Sequence, residues 1–255
     1  MLLCIDIGNT NTVIGIFKKE EILASFRIES NLYQTADEYG MKLLEMFKYH
    51  SLDSRDVEGV IISSVVPILD STYEKMIAKY FNKKPLFVGP GIKTGIKIST
   101  DNPKQVGADI IVGAVASYDK YGAPVIIIDM GTAITFFYVD KKKELVGGII
   151  APGVKTSFKS LISNTSKLEE VKMNQPLNII GRDTIACIQS AMIYGTSAMI
   201  DGIIRKMKQE IGIDNIKVVL TGGEAKMLHQ YLEEDVIYDE NIIIEGLKII
   251  YQKNL

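Results

Sequence analysis

The chain has 255 residues, 47% of them hydrophobic, with 29 lysines and arginines against 31 aspartates and glutamates. This length fits one large domain or two coupled smaller ones, and the balanced charge argues against a nucleic-acid-binding protein with a basic stripe. No apolar run approaches the roughly 20 residues that cross a bilayer. The first residues read as a strand rather than a signal peptide, so we expect a cytoplasmic protein with no membrane partner.

The first half predicts an α/β unit that opens with two strands around a turn. Leu2 to Ile7 and Val13 to Phe17 are rich in β-formers, and GNTNT lies between them. The next predicted elements are a strand at 22–28, a helix from about 35 to 49, strands at 60–66 and 86–88, and helices at 68–81 and 107–121. Gly122 and Pro124 then supply the usual stop signals of a helix.

The second half predicts a restart of the same pattern. Its elements are strands at 125–129, 134–139, 145–150 and 216–220, helices near 154–163 and 182–211, a helix from TGGEA to about 232, and a last helix at 242–251. The 182–211 segment can form one long helix, because nothing before Gly212 forces a break.

The two halves begin alike, since Leu2–Phe17 aligns with Val125–Val139 as strand, Asp-x-Gly, threonine-bearing turn and strand. Such internal similarity predicts a duplicated α/β fold of two lobes, with the two turns facing each other across a cleft. We place the lobes at 1–121 and 122–255, with the last helix as a candidate to pack back onto the first lobe.

The first turn suits a phosphate group. Gly8 lets backbone amides approach a polyanion, and Asn9, Thr10 and Thr12 add side-chain donors. No P-loop motif occurs, so we expect Asp6 to hold Mg²⁺, through water, with Asp129 in the equivalent place of the second half. The alternative is that both aspartates merely end strands and cap turns.

Three further features leave their roles open. Asp109, in QVGADII, either complements the helix dipole in the first turn or acts as a general base. The segments GGIIAPG (147–153) and TGGEA (221–225) either line a ligand cleft or form tight connections. The lysine run 141–143 predicts a solvated hairpin tip.

The cysteines and histidines indicate neither a metal site nor a disulfide framework. Cys4 and Cys187 lie in apolar runs without CxxC spacing, which predicts buried, reduced thiols. His50 and His229 lie among polar residues near predicted helix ends, so we expect both at the surface.

Six segments of the chain resemble, in the same order, the motifs of type III pantothenate kinases. They are DIGNTNTVIG, NPKQVGAD, IDMGTAITF, GGIIAPG, GRDT and TGGEA. The resemblance covers nearly the whole chain. It implies the duplicated ribonuclease H-like fold of actin, sugar kinases and heat-shock ATPases. It also implies a homodimer that phosphorylates pantothenate in the first step of coenzyme A synthesis, using ATP, Mg²⁺ and a monovalent cation, potassium or ammonium.

The resemblance also assigns roles by position. It implies Asp109 as the proton acceptor, Asp129 as a ligand of the monovalent cation and Asp6 as a metal ligand. The implied ATP contacts are Asp6, Ile7, Gly8, Asn9, Thr10, Asn11, Thr12, Val13 and Thr132. The implied pantothenate contacts are Thr100, Gly107, Ala108, Asp109, Ile110 and Thr184, the last at or near a dimer interface.

Two positions depart from the family pattern, and both lie in the implied acceptor pocket. Thr100 stands where the family usually has tyrosine, and Ile110 where it usually has arginine. Loss of an arginine–carboxylate bond costs roughly 1.5–3 kcal/mol. The alternatives are therefore a kinase for a different small hydroxylated acceptor, or an ATP-binding regulator without turnover.

Overall fold

The computed structural model describes residues 1–166, 168 and 171–255, which divide into two compact units. The first unit comprises Met1–Lys120 together with Asn241–Leu255, and the second comprises Tyr121–Glu240. The C-terminal helix therefore belongs with the N-terminal unit.

The first unit is built on a sheet with the strand order β3–β2–β1–β4–β5. Its elements are β1 (Leu2–Ile7), β2 (Asn11–Lys18), β3 (Glu21–Glu29), α1 (Ala36–Tyr49), β4 (Gly59–Ser64), α2 (Pro67–Phe81), β5 (Leu86–Phe87), β6 (Lys97–Ile98), α3 (Ala108–Tyr121) and α8 (Ile242–Gln252). The β1–β2 and β2–β3 pairs are antiparallel, whereas β1–β4 and β4–β5 are parallel.

Helices cover both faces of this sheet, because successive residues of a strand point to opposite sides. Leu3, Ile5 and Ile7 of β1 belong to a core shared with α1 and α2, whereas Cys4 belongs to a core shared with α3 and α8. Gly246 lets α8 approach α3, since a β-carbon there would lie 2.3 Å from the carbonyl oxygen of Val112.

The second unit has the strand order β11–β10–β7–β8–β9. Its elements are β7 (Val125–Met130), β8 (Ala133–Val139), β9 (Glu144–Pro152), α4 (Val154–Ser163), α5 (Thr184–Ser190), α6 (Thr196–Ile211), β10 (Lys217–Thr221), α7 (Ala225–Leu228) and β11 (Ile237–Tyr238). The pairs β7–β8 and β8–β9 are antiparallel, and β7–β10 and β10–β11 are parallel. Order and direction repeat those of the first sheet, which confirms the predicted duplication.

The long helix predicted at 182–211 forms from Thr184, with one irregularity. A π-helical turn at Ala191–Gly195 joins α5 to α6, and Gly212 ends the run with a φ of 73°. Asp183 caps the start, since its carboxylate accepts a hydrogen bond from the amide of Ala186 at 2.8 Å. The TGGEA helix is shorter than predicted, and a 3₁₀ turn at His229–Tyr231 follows α7.

Two expectations about burial are wrong. Cys4 is buried, but Cys187 is exposed, because α5 turns Ile188 and Ser190 inward instead. His50 is exposed as predicted, whereas His229 is half-buried and stacks on the Tyr238 ring with centroids 5.0 Å apart. Among the described residues, every helix is too short or too polar to cross a membrane.

Candidate active site

Asp6, at the end of β1, is held by a serine of the neighbouring strand. Ser63 lies opposite Asp6 in the parallel β1–β4 pair, and its hydroxyl donates to Asp6 Oδ1 at 2.6 Å. Ser63 is fully buried, whereas Asp6 is half-buried. This serine was missed at the sequence level, although a pair of polar residues at the end of a buried strand was a usable signal.

The turn after Asp6 requires glycine. The amide of Gly8 donates to the carbonyl oxygen of Asn11 at 3.1 Å, and a β-carbon at Gly8 would lie 2.9 Å from that oxygen. Asn9, Thr10 and Asn11 are exposed. The turn therefore presents polar side chains and backbone at the end of the sheet.

Thr12 differs from its neighbours, because its side chain is completely buried. Its Oγ1 lies 2.9 Å from Ser30 Oγ and accepts a hydrogen bond from the Tyr73 hydroxyl at 3.2 Å. The expectation that Thr12 adds a side-chain donor for a ligand is therefore wrong. Ile7 is likewise buried and Val13 half-buried, so the chemistry they offer a ligand is that of the backbone.

Asp109 lies in the first turn of α3, next to the end of β1. Val65 links the two regions: its amide donates to the carbonyl of Ile7 at 3.0 Å, and its Cγ1 lies 3.4 Å from the position of a β-carbon on Gly107. That β-carbon would also lie 2.4 Å from Asp109 Oδ1, so a larger residue at Gly107 would make the Asp109 carboxylate move. The structure thus places Asp6 and Asp109 at the same edge of the first unit.

The Asp109 carboxyl group has an environment suited to accepting a proton. Burial raises its pKa, and the hydrogen bond from the Ile110 amide to Oδ1, at 2.8 Å, opposes that rise in part. A carboxylate with a raised pKa is a stronger base than an ordinary aspartate.

The remaining candidates for acceptor contacts in the first unit surround Asp109 in sequence. Ala108 and Ile110 are half-buried, and Ile110 offers no hydrogen bond from its side chain. Thr100 is half-buried, and its hydroxyl oxygen is inaccessible and without a hydrogen-bond partner among residues 1–166, 168 and 171–255. An unsatisfied buried hydroxyl is costly, and a ligand would reach this one only after neighbouring residues move.

The second turn follows Asp129 at the end of β7. The amide of Gly131 donates to the carbonyl of Ala133 at 2.9 Å, and Thr132 is exposed. The carbonyl of Thr132 accepts hydrogen bonds from the Gly153 amide at 3.0 Å and from the Thr156 hydroxyl at 2.8 Å. The start of α4 is therefore attached to this turn.

Both glycine-rich segments whose role the sequence left open pack against the second turn. A β-carbon at Gly153 would lie 2.3 Å from the carbonyl oxygen of Gly131. Gly222 has a φ of 100°, and its β-carbon would lie 2.5 Å from Asp129 Oδ1. Only glycine permits these approaches. Thr184, by contrast, is an exposed residue at the start of α5.

The carboxylate of Asp6 is compatible with the divalent cation expected from the sequence. In the described part of the chain, no group of three or more His, Cys, Asp or Glu residues could cage a metal ion. Mg²⁺ does not need such a cage, because it keeps several waters and binds through one or two carboxylates and substrate phosphates. The single Asp6 carboxylate is therefore compatible with Mg²⁺.

Comparison with known proteins agrees with this architecture. The sequence model of the family described as type III pantothenate kinase matches residues 2–206. The chain is 44% identical over 261 residues to a type III pantothenate kinase of Myxococcus xanthus (strain DK1622), covering 100% of this chain and 99% of that protein.

Solved structures show the fold. Component A of (R)-2-hydroxyglutaryl-CoA dehydratase from Acidaminococcus fermentans superposes with a TM-score of 0.58 at 14% identity, covering 100% of this chain and 99% of that one. The inorganic polyphosphate/ATP-glucomannokinase from Arthrobacter sp. strain KM gives 0.51 at 12% identity, covering 99% and 98%. The predicted kinase-type fold is confirmed. On the family match and the full-length identity, the chain belongs to the type III pantothenate kinase family.

Proposed function

We propose that this protein transfers the terminal phosphoryl group of ATP to the hydroxyl of pantothenate, the first step of coenzyme A biosynthesis. The observation that carries the proposal is the 44% identity to a curated family member over the full chain. A cytoplasmic location is part of the proposal, because the reaction consumes ATP.

Asp109 is the proposed general base. Phosphoryl transfer depends mainly on positioning and charge neutralisation, so one base that accepts the hydroxyl proton suffices. The buried environment that raises the Asp109 pKa supports this role, because it makes the carboxylate more basic than an ordinary aspartate.

The two turns are the proposed ATP contacts. Backbone groups from Asp6 to Val13, with the exposed side chains of Asn9, Thr10 and Asn11, suit the phosphates, and Thr132 contributes from the second turn. Asp6 would hold Mg²⁺ through water, and Asp129 would hold K⁺ or NH₄⁺. When bound, these cations neutralise phosphate charge that the turns, which lack lysine, leave uncompensated.

The proposed contacts with the acceptor are Thr100, Gly107, Ala108, Ile110 and Thr184. The Thr100 hydroxyl has no hydrogen-bond partner among the described residues, and neighbouring residues would have to move for the acceptor to reach it. Ile110 supplies no cation for the carboxylate of pantothenate, which favours weak acceptor binding or, as the second candidate function, a different small hydroxylated acceptor.

A homodimer is also proposed, and exposed apolar side chains of the second unit support it. Monomeric proteins rarely expose large contiguous apolar patches. The exposed large apolar residues in the described part of the second unit are Val146, Ile149, Ile150, Leu161, Leu177, Ile179, Ile180, Ile185, Met199 and Met227. Ile185 adjoins Thr184, in keeping with an acceptor contact near the interface.

The test is product formation with purified protein, ATP, Mg²⁺, K⁺ and pantothenate, followed by mass spectrometry for phosphopantothenate. A panel of other alcohols and hydroxy acids, scored by ADP release, separates the two acceptor hypotheses.

The double variant Thr100→Tyr, Ile110→Arg should lower the KM for pantothenate by about tenfold if the acceptor is pantothenate. Thermal stabilisation by ATP without ADP release from any acceptor would refute the kinase and favour a regulator.

A further inference from the structure

Tyr73 of α2 has no part in the roles assigned so far, yet it places a hydroxyl group inside the apolar core of the first unit. The residue is completely buried, and its hydroxyl donates a hydrogen bond to Thr12 Oγ1 at 3.2 Å. Thr12 Oγ1 also lies 2.9 Å from Oγ of Ser30, which is buried as well. The three hydroxyl groups form a buried network next to the first turn, whose last residue is Asn11.

Ser30 connects this network to the backbone of the first turn. Its side chain contacts Thr12, while its amide donates to the carbonyl of Thr10 at 3.0 Å. Within the turn itself, the Gly8 amide donates to the carbonyl of Asn11 at 3.1 Å. The backbone of Thr10, a proposed ATP contact, is therefore held by a residue that follows β3 and belongs to the hydroxyl network.

A second tyrosine, Tyr39 of α1, holds the residue that follows Ser30. The Tyr39 hydroxyl accepts a hydrogen bond from the Asn31 amide at 2.8 Å and donates to the Asn31 carbonyl at 3.0 Å. The rings of Tyr39 and Tyr73 also pack together, with centroids 4.7 Å apart. Side chains from two helices therefore fix the segment 30–31, and that segment holds the first turn.

Packing alone does not explain the hydroxyl groups of Thr12 and Tyr73. A valine at position 12 and a phenylalanine at position 73 would fill nearly the same space without burying polar atoms. A buried network whose members are paired makes its surroundings rigid and favours one arrangement over others. Burial also raises the pKa of Tyr73, so its hydroxyl stays protonated and remains a hydrogen-bond donor.

We propose that Tyr73 is a positioning residue, which together with Ser30 holds the first turn in the conformation that receives the phosphates of ATP. Tyr73 acts through Thr12 and Ser30, and it does not itself contact the nucleotide. This inference rests on the proposed function, and it explains how buried side chains of the first unit support an exposed binding turn.

The test compares Tyr73→Phe with the wild type and with Tyr80→Phe as matched control. Tyr80 lies in the same helix, and its hydroxyl donates to Asp37 Oδ1 at 2.8 Å, so the control loses a hydrogen bond outside the network. The Kd of Mg-ATP is measured by isothermal titration calorimetry without acceptor. Tyr73→Phe should raise this Kd by about fivefold, the scale of one hydrogen bond between neutral groups, whereas Tyr80→Phe should match the wild type.

Two further readouts separate positioning from simple stability. In Tyr73→Phe the KM for ATP should rise with the Kd, whereas the KM for pantothenate should stay within about twofold, because acceptor binding is assigned to other residues. Thr12→Val should also weaken ATP binding, and adding Tyr73→Phe to it should cause no further loss, because the tyrosine acts through that hydroxyl. An unchanged ATP Kd in Tyr73→Phe, equal changes in both KM values, or additive losses in the double variant would overturn the inference.

If Tyr73→Phe does not fold, Ser30→Ala decides, because it removes the other side-chain partner of Thr12. An ATP Kd equal to that of the wild type would then overturn the inference. Wild-type protein that binds no ATP would instead refute the proposed function itself, and the inference with it. The direct binding measurement therefore distinguishes the two failures.

Discussion

The turn after β1 and the turn after β7 occupy equivalent places in two sheets of identical strand order, but they differ in length and support. Positions 8–11 separate the paired residues Ile7 and Thr12, whereas positions 131–133 separate Met130 and Ile134. The parallel neighbour strand places Ser63 opposite Asp6 and Thr221 opposite Asp129.

The two aspartates are also held by different means. A donated hydrogen bond from Ser63 orients Asp6, whereas backbone of Gly222 packs directly on Asp129. A serine hydroxyl thus contacts Asp6, and a close glycine backbone limits the space at Asp129. Removing the hydroxyl should therefore disturb Asp6, and adding a side chain at Gly222 should disturb Asp129.

The largest expected effect is that of Asp109→Asn, which tests whether the proposed general base lies in the first unit. Asp109→Asn removes the proposed base while preserving shape, so kcat should fall by roughly 10²–10⁴-fold. The Kd of Mg-ATP should stay within about twofold, because Asp109 is not an ATP contact. Steady-state kinetics and calorimetry measure both, and a variant that retains more than about a tenth of wild-type kcat would contradict the assignment.

Gly222→Ala tests whether the close packing on Asp129 in the second turn requires glycine. The alanine must adopt a φ of 100° and place its β-carbon 2.5 Å from Asp129 Oδ1, so we expect about 1–3 kcal/mol of destabilisation and weaker ATP binding. Gly202→Ala is the control, since a β-carbon there has no neighbour within 4 Å, and it should stabilise α6 by roughly 0.5–1 kcal/mol. Equal thermal midpoints for the two variants would count against the steric account.

Ser63→Ala tests whether the serine hydroxyl orients Asp6 at the first turn. Loss of the hydrogen bond to Asp6 should raise the Mg²⁺ concentration for half-maximal activity by about tenfold, as for other groups that orient a metal ligand. Ser64→Ala is the matched control, because the Ser64 hydroxyl accepts from the Val66 amide and not from the Asp6 region. The idea fails if both variants show the same Mg²⁺ requirement.

The smallest effect concerns pH. Asp109 must be ionised to accept a proton, and burial raises its pKa, so activity should decline as the pH falls through that raised value. The acid limb of kcat/KM should therefore have a midpoint above about 3.9, the ordinary value for aspartate. A pH profile that stays flat down to about pH 4 would show that Asp109 is not the titrating base.

Local patterns predicted much of the fold. The helix predicted from about residue 35 is α1, which begins with a capping box of Thr35 and Glu38, and Gly212 ends α6 as predicted. The repeated strand, turn and strand gave the duplication, because both copies carry the same local signals. These features depend on residues near one another in the chain.

The parts that sequence could not predict depend on distant pairings. Ser63 meets Asp6 only through the register of β1 and β4, and Thr12 is buried only because Ser30 and Tyr73 meet it. Cys187 lies in an apolar run, but the angle at which α5 packs leaves it exposed.

The most direct test of the two-turn account is calorimetric titration of ATP, with and without Mg²⁺, into the wild type, Asp6→Asn and Asp129→Asn, each in K⁺ and in Na⁺. We predict that both variants bind ATP more weakly, that Asp6→Asn loses the dependence on Mg²⁺, and that Asp129→Asn loses the preference for K⁺. Wild-type affinity in either variant would contradict the claim that both turns serve one nucleotide.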